Sequence, residues 1–205
     1  MIEAVVFDIG NVLIEWHPEE FYDREIGQER RKRFFAETNV EEMNLSIDKG
    51  APFKETIYAT AEANPEWRDE IRMWHDRWIE MCAPVIDHSA RLMAALQAKG
   101  VPVFSLTNFG KESYDFAATH YDFLNAFDRD FVSGRLEVIK PDARFYEILE
   151  EQSGLSGAQL LFTDDRTDNI AAAQSRGWQT HLFEGPQGWA DRLVAAELLT
   201  AQEAV

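Results

Sequence analysis

Four polar stations in this chain each follow a short apolar run. Asp8 follows Ala4-Val5-Val6-Phe7 and opens the turn Asp8-Ile9-Gly10-Asn11-Val12. Thr107-Asn108 follows the run that ends at Leu106, Lys140-Pro141 follows Val138-Ile139, and Asp164-Asp165 comes just after Leu160-Leu161-Phe162. A carboxylate delivered by a buried strand into a glycine-containing turn can act as a nucleophile or a metal ligand. A capping or turn aspartate would look the same taken alone. Gly10 allows close backbone approach, and Asn11 can brace the turn by hydrogen bonding. The Thr107 hydroxyl and the amides beside it suit an anionic oxygen, or else cap a helix. Lys140 could neutralise both a carboxylate and a phosphoryl oxygen, or else sit solvated in a loop. Asp164 and Asp165, with Asp168-Asn169 shortly after, crowd negative charge that calls for a hard cation such as magnesium.

These groups need a scaffold that brings strand ends together. Asp87 to Lys99 has helical spacing and stops at Gly100, and Val101 to Leu106 reads as a strand. Ala143 to Gln152 is helical, Leu160 to Phe162 is a buried strand, Ile170 to Arg176 is helical, and Trp178 to Phe183 is a further strand. Strands alternating with helices predict βαβ units and a parallel sheet. Open sheets of that kind place their chemistry at the carboxyl ends of the strands. From about Trp16 to Pro84 there is almost no strand pattern. There Trp67, Ile71, Trp74, Trp78 and Met81 recur at steps of three and four. That stripe fits the core of a small helical bundle better than a substrate-stacking face.

Net charge is −17, from 20 basic and 37 acidic residues. A field of that sign repels nucleic acid and anionic membranes. The run Arg30-Arg31-Lys32-Arg33 reads as a solvated helix face within an acidic chain. No apolar run approaches a membrane-spanning length, and the N-terminus enters a strand pattern without a signal-peptide pattern. One cysteine, Cys82, cannot form an internal disulfide. The expectation is a cytoplasmic protein, monomeric or homodimeric, with Cys82 as a small buried apolar residue. Nucleotide-binding glycine loops, zinc-ligand spacings and a Gly-x-Ser-x-Gly elbow are absent from the sequence.

In order and spacing, the four stations resemble the haloacid dehalogenase (HAD) superfamily over nearly the whole chain. Asp8 matches its first motif, Thr107 the second, Lys140 the third and Asp164-Asp165 the fourth. The resemblance implies an α/β fold, a Rossmann-like parallel sheet with helices on both faces, carrying a small α-helical cap inserted after the first strand. It implies a core of residues 1–15 and 86–205 and a cap of 16–85. Aligning Asp165-x-x-x-Asn169-Ile170-x-Ala172-Ala173-x-x-x-Gly177 with the fourth motif implies that Asp165 binds the metal directly. Asp164 would be an outer or second ligand, and Asn169 would replace a trailing acid. The opening Asp-x-Gly-Asn-Val-Leu, with Trp16 and Pro18, looks like the subgroup that includes α-D-glucose-1-phosphate phosphatases.

What the resemblance implies is a Mg²⁺-dependent phosphatase acting on a small phosphorylated metabolite of the sugar phosphate class through an aspartyl-phosphate. Asp8 attacks; Asp8, the Gly10 carbonyl, Asp164 and Asp165 form the metal site; and Asn11, Thr107, Asn108 and Lys140 bind substrate. One position departs from the family pattern. Most HAD phosphatases carry an acid-base aspartate two residues after the nucleophile, and here that position is Gly10. Its loss predicts a preference for easily departing leaving groups, unless a cap histidine, His17 or His75, supplies the proton. Dehalogenases of the family also lack that aspartate. A metal-independent 2-haloacid dehalogenase using Asp8 is therefore the alternative, followed by a non-catalytic protein that binds a phosphorylated ligand.

Overall fold

The computed structural model describes residues 1–205. Strand β1 (Ala4–Phe7) comes first and is followed by a run of helices: α1 (Pro18–Ile26), α2 (Gln28–Glu37), α3 (Val40–Asp48), α4 (Phe53–Ala63) and α5 (Arg68–Asp76). Then follow α6 (Asp87–Ala98), β2 (Val103–Thr107), α7 (Lys111–Ala118), β3 (Arg129–Val132), α8 (Ser133–Leu136) and α9 (Ala143–Ser153). The chain closes with β4 (Leu160–Asp164), α10 (Thr167–Ser175), β5 (Gln179–Leu182) and α11 (Pro186–Ala195).

The five strands form one sheet in the order β3-β2-β1-β4-β5, and every pairing is parallel. β1 is central. The chain winds from it to β2 and β3 on one side, then returns to β4 and β5 on the other. The reversal of direction falls between β1 and β4, where a crevice opens at the carboxyl ends. The three central strands, β1, β2 and β4, are buried along their whole length because both faces are covered. Side chains alternate across the sheet. Ala4 and Val6 join Phe145, Tyr146 and Ile170 on the face of α9 and α10. Val5 and Phe7 join Leu92, Leu96, Trp189 and Leu193 on the face of α6 and α11. Helices on both faces of a parallel sheet match the expected α/β architecture.

The expected helix and strand positions after Asp87 hold to within a few residues. β3 was missing from the expectation. Its first two residues, Arg129 and Asp130, are exposed at the sheet edge, and only Phe131 and Val132 are buried, so its sequence reads as loop. The tryptophan stripe is buried as expected but is not one helix. A 3₁₀ turn at Pro65–Trp67 precedes α5, and another at Trp78–Glu80 follows it. Trp67, Ile71, Trp74, Trp78 and Met81 nonetheless share one core.

The two chain crossings between the α1–α5 helices and the sheet run side by side. The Glu15 amide donates to the Pro84 carbonyl, the His17 amide to Met81, and the Ile86 amide to Leu13, each at 2.8–2.9 Å. The helical layer also sits very close to the loop after β2. A Cβ added at Gly110 would lie 2.5 Å from Ile47 Cγ2 of α3 and 3.4 Å from the Ile47 carbonyl oxygen. Only a residue without a side chain permits that approach.

Candidate active site

Asp8 emerges from the central strand, its amide bonded to the Thr163 carbonyl of β4 at 3.0 Å. The chain then curls tightly, with the amides of Val12, Leu13 and Ile14 all donating to the Ile9 carbonyl. Asn11 adopts a left-handed conformation (φ 56°), which asparagine tolerates better than most residues. Its side-chain oxygen accepts from the Trp16 amide at 2.9 Å, and its nitrogen donates to Asp165 Oδ2 at 3.1 Å. The expected bracing by Asn11 is therefore present. The expected contact of its side chain with substrate meets a competing fact: that amide is already committed to Asp165 and Trp16.

Lys140 is the hub. Its ammonium lies 2.9 Å from Asp8 Oδ1 and 2.6 Å from Asp164 Oδ2. At 2% exposure it is no solvated loop lysine. Burial works against its charge, but the carboxylates of Asp164 and Asp8 outweigh that cost and raise its pKa. Burial pushes the Asp8 carboxyl up to about 7, opposed by Lys140 and aided by repulsion from Asp164 and Asp165. Oδ1 of Asp8 accepts from the Ile9 amide at 2.7 Å as well as from Lys140. Oδ2 accepts nothing from the chain and is free to act.

Asn108 holds the lysine. Its Nδ2 donates to the Lys140 carbonyl at 3.0 Å, and its Oδ1 accepts from the Lys140 amide at 2.7 Å. Its side chain is thus spent on Lys140, and what it retains for a ligand is a backbone N–H without a partner in the chain. Thr107 is buried at the end of β2 and outside the cavity wall, and its hydroxyl makes no hydrogen bond within the chain.

Asp164 is fully buried. Besides Lys140, it accepts from the Arg166 amide at 2.8 Å and from Asn169 Nδ2, which lies 3.0 Å from both of its oxygens. Asp165 is half-buried; burial raises its pKa, the Asn11 hydrogen bond lowers it, and repulsion from Asp164 raises it.

Carboxylate oxygens of Asp8, Asp164 and Asp165 lie within 4.8 Å of one another. The donor set suits a hard divalent cation. The Gly10 carbonyl accepts no hydrogen bond in the chain, and Asn169 Oδ1 is buried without a partner. Asp164 fits less well as a direct ligand, because its oxygens are already taken by Lys140, Arg166 and Asn169. Its structure favours the outer role.

Above these groups lies a cavity of about 330 Å³. Asp8, Gly10, Asn108, Lys140 and Asp165 form its floor, and Trp16, Asn44, Leu45, Asp48 and Trp78 of the helical layer contribute its roof. Cys82 also lines it, but burial pushes its thiol up to about 12, so it is no thiolate nucleophile. Neither His17 nor His75 reaches the wall. His17 Nε2 pairs with Glu15 at 3.0 Å, and His75 Nδ1 with Asp76 at 2.7 Å. Sequence reasoning missed Asp48, Asn44 and Arg166. The one available signal was Asp48 ending a helix, where a negative charge is disfavoured.

Comparison with known proteins bears on the family and the fold. The model of the haloacid dehalogenase-like hydrolase family matches residues 2–177. A sesquiterpene phosphatase, astK of Aspergillus oryzae, is 26% identical over 186 residues, covering 85% of this chain and 86% of its own. An (S)-2-haloacid dehalogenase of Pseudomonas fluorescens is 27% identical over 107 residues, covering 52% of this chain and 47% of its own. Among solved structures, a HAD-family enzyme from Bacteroides thetaiotaomicron in complex with magnesium and inorganic phosphate superposes with a TM-score of 0.67 at 17% identity, covering 90% of this chain and 96% of that one. The subgroup of glucose-1-phosphate phosphatases receives no such support. With a family model spanning most of its length, and the four stations gathered at one sheet edge, the chain belongs to the haloacid dehalogenase-like hydrolases.

Proposed function

We propose that this hydrolase is a magnesium-dependent phosphomonoesterase acting on a small phosphorylated metabolite. One observation carries the reading: Asp8 has one oxygen fixed by Lys140 and the Ile9 amide and the other free in a cavity. A fixed carboxylate with one unengaged oxygen is oriented for in-line attack on phosphorus. Magnesium would be held by Asp8, the Gly10 carbonyl and Asp165, with Asp164 behind them. When bound, it supplies positive charge that offsets phosphoryl and carboxylate charge together.

The chain's own groups do the rest. Asp8 Oδ2 forms a bond to phosphorus as the ester oxygen departs, and water later releases phosphate from Asp8. Lys140 neutralises the nucleophile's field, so a dianion can approach. The Asn108 backbone N–H, in the cavity wall and without a partner in the chain, donates to a phosphoryl oxygen. Residues 1–15 and 86–205 act as the catalytic core, and residues 16–85 as the cap that shapes the leaving-group site. Trp16, Leu45, Trp78 and Phe109 give that site apolar surface. A sugar ring face or a hydrocarbon group would pack against it. The opening motif supports the first, and the similarity to a sesquiterpene phosphatase supports the second. No helix of the chain is long and apolar enough to cross a membrane. Together with a single buried cysteine, this supports a cytoplasmic setting.

A second reading is a 2-haloacid dehalogenase, favoured by Gly10 and by the partial similarity to (S)-2-haloacid dehalogenases. Against it, Asp8, Asp164 and Asp165 sit together with one lysine, and a haloacid carboxylate would add a further negative charge. One assay separates the readings, and a third in which the site only binds. Sugar phosphates, prenyl phosphates and 2-chloropropionate are each incubated with Mg²⁺ or with EDTA. Phosphate release abolished by EDTA is the expected result. Halide release that survives EDTA would establish the dehalogenase, and binding without turnover a ligand-binding role.

A further inference from the structure

Gly10 leaves the proposed reaction without the usual proton donor. A Cβ added at Gly10 would meet nothing within 4 Å, and its φ is not left-handed, so neither crowding nor backbone conformation demands glycine there. The position is open toward the cavity but carries no carboxyl.

One carboxyl enters the cavity from the opposite side. Asp48 is the last residue of α3, and it lines the cavity together with Asn44 and Leu45 of the same helix. The positions i, i+1 and i+4 form one helix face, while Met43 and Ile47 turn into the core. Asn44 Nδ2 donates to Asp48 Oδ2 at 3.1 Å and so fixes the carboxyl's orientation. No lysine, arginine or histidine is ion-paired with Asp48. Asp8, Asp165, Lys140 and Arg166 face it across the cavity. On the helices packed against α3, the charged groups are Lys54, Glu55 and Glu62 in α4 and Arg135 in α8. Arg135 is engaged by Asp115, and Glu62 by Arg68 and Arg72.

We propose that Asp48, carried over the nucleophile by the cap, is the general acid and base that Gly10 cannot provide. This inference rests on the phosphomonoesterase reading. In the first half-reaction, the bond from phosphorus to the ester oxygen breaks as the Asp8 Oδ2–phosphorus bond forms. The leaving oxygen takes the electron pair together with the Asp48 proton and departs as a neutral alcohol. In the second half-reaction, the Asp48 carboxylate takes a proton from water. The oxygen of that water bonds to phosphorus, and the electron pair of the Asp8–phosphorus bond returns to Asp8.

The environment suits a proton carrier. Burial pushes the Asp48 carboxyl up to about 7, against a lowering hydrogen bond from the Gly110 amide. The helix C-terminus adds to the cost of charging it. A donor poised near neutrality serves both half-reactions. Gly110 lets α3 lie against the loop after β2, and Asp48 at the end of α3 lines the cavity. Both histidines are absent from the wall and burial pushes the Cys82 thiol up to about 12, which leaves Asp48 as the cap's group for this task.

The test uses the full-length protein with Mg²⁺ and compares Asp48→Asn and Asp48→Glu with the wild type. A series of phosphate monoesters runs from nitrophenyl to alkyl. The wild type should show kcat/KM nearly independent of leaving-group pKa. In Asp48→Asn, alkyl phosphates should lose on the order of a hundredfold or more and nitrophenyl phosphate only a few-fold. Asp48→Glu should recover part of the alkyl activity. Phosphorylation of Asp8, read by mass spectrometry after acid quenching, should remain rapid with the nitrophenyl ester in Asp48→Asn. An equal loss on every ester, or no loss, would overturn the role of Asp48. A wild type that releases phosphate from no ester would instead overturn the phosphomonoesterase reading. Circular dichroism confirms that each variant is folded before its rates are compared.

Discussion

Asn108 holds Lys140 by the backbone from both sides, donating to its carbonyl at 3.0 Å and accepting from its amide at 2.7 Å. The lysine in turn bridges Asp8 and Asp164. β2, the loop before α9, β1 and β4 are therefore joined by one polar chain. An error of position at Asn108 reaches Asp8 through two contacts.

Replacing Asn108 by alanine leaves the amide and carbonyl of Lys140 without these partners. The expected cost is about 1–3 kcal/mol of stability. Because the lysine shifts while the roof of the cavity stays, kcat should fall more than tenfold with KM changed by less. Steady-state kinetics with denaturant unfolding checks this. An unchanged kcat would mean that Lys140 is positioned without Asn108.

Lys140→Met removes the one cation between two buried carboxylates. Truncating one partner of a buried ion pair costs about 3–5 kcal/mol, because an uncompensated charge remains. Urea unfolding of the variant should show a loss in that range, with phosphate release falling to background. A loss below about 1 kcal/mol would contradict a buried, charged lysine.

If Asp165 ligates the metal as proposed, Asp165→Asn should weaken Mg²⁺ binding by roughly tenfold or more, since the carboxylate and its Asn11 support are both altered. Calorimetric titration with Mg²⁺ reads this directly. Asp168→Asn is the control: that side chain is exposed and paired with Arg166 at 2.8 Å, so its loss should leave Mg²⁺ affinity near the wild-type value.

Asp48 makes a prediction for stability that is independent of turnover. Its pKa rises on folding from 3.8 to about 7, so the folded state binds this proton more tightly than the unfolded state. That contribution is complete below about pH 4 and is lost as pH rises to about 7. Asp48→Asn lacks it. The melting temperature of Asp48→Asn relative to the wild type should therefore climb between pH 4 and pH 7.5. A constant difference across that range would show that Asp48 keeps an ordinary pKa.

Gly110→Ala tests the seat of α3. The new Cβ would lie 2.5 Å from Ile47 Cγ2, and overpacking of this kind costs about 1–3 kcal/mol. Displacing α3 also displaces Asp48, so activity on alkyl phosphates should fall further than activity on nitrophenyl phosphate. Equal losses on both would separate Gly110 from the placement of Asp48.

Much of this site was legible because strand ends announce themselves. An apolar run ending in Asp8, Leu106-Thr107 or Phe162-Thr163-Asp164 is visible in the chain, and parallel topology gathers such ends at one edge. β3 was illegible because its exposed Arg129-Asp130 half carries no burial signal. The uses of Asn11 and Asn108 were illegible for a different reason. An asparagine beside a site binds substrate or braces a neighbour with the same atoms, and only tertiary placement decides between them. Asp48 lies 40 residues from Asp8 within a helical segment. A carboxylate at a helix end was its one local signal, and what that carboxylate faces depends on how α3 folds back over the sheet.

The account stands on Asp8 Oδ2 as the attacking atom. Its most direct measurement mixes the Mg²⁺-loaded protein with an excess of nitrophenyl phosphate, quenches in acid within one turnover, and maps added mass by peptide. One phosphoryl group is expected on the peptide that contains Asp8, and none in Asp8→Asn. Phosphate released at the full rate by Asp8→Asn, or a phosphoryl group found on any other residue, would contradict it.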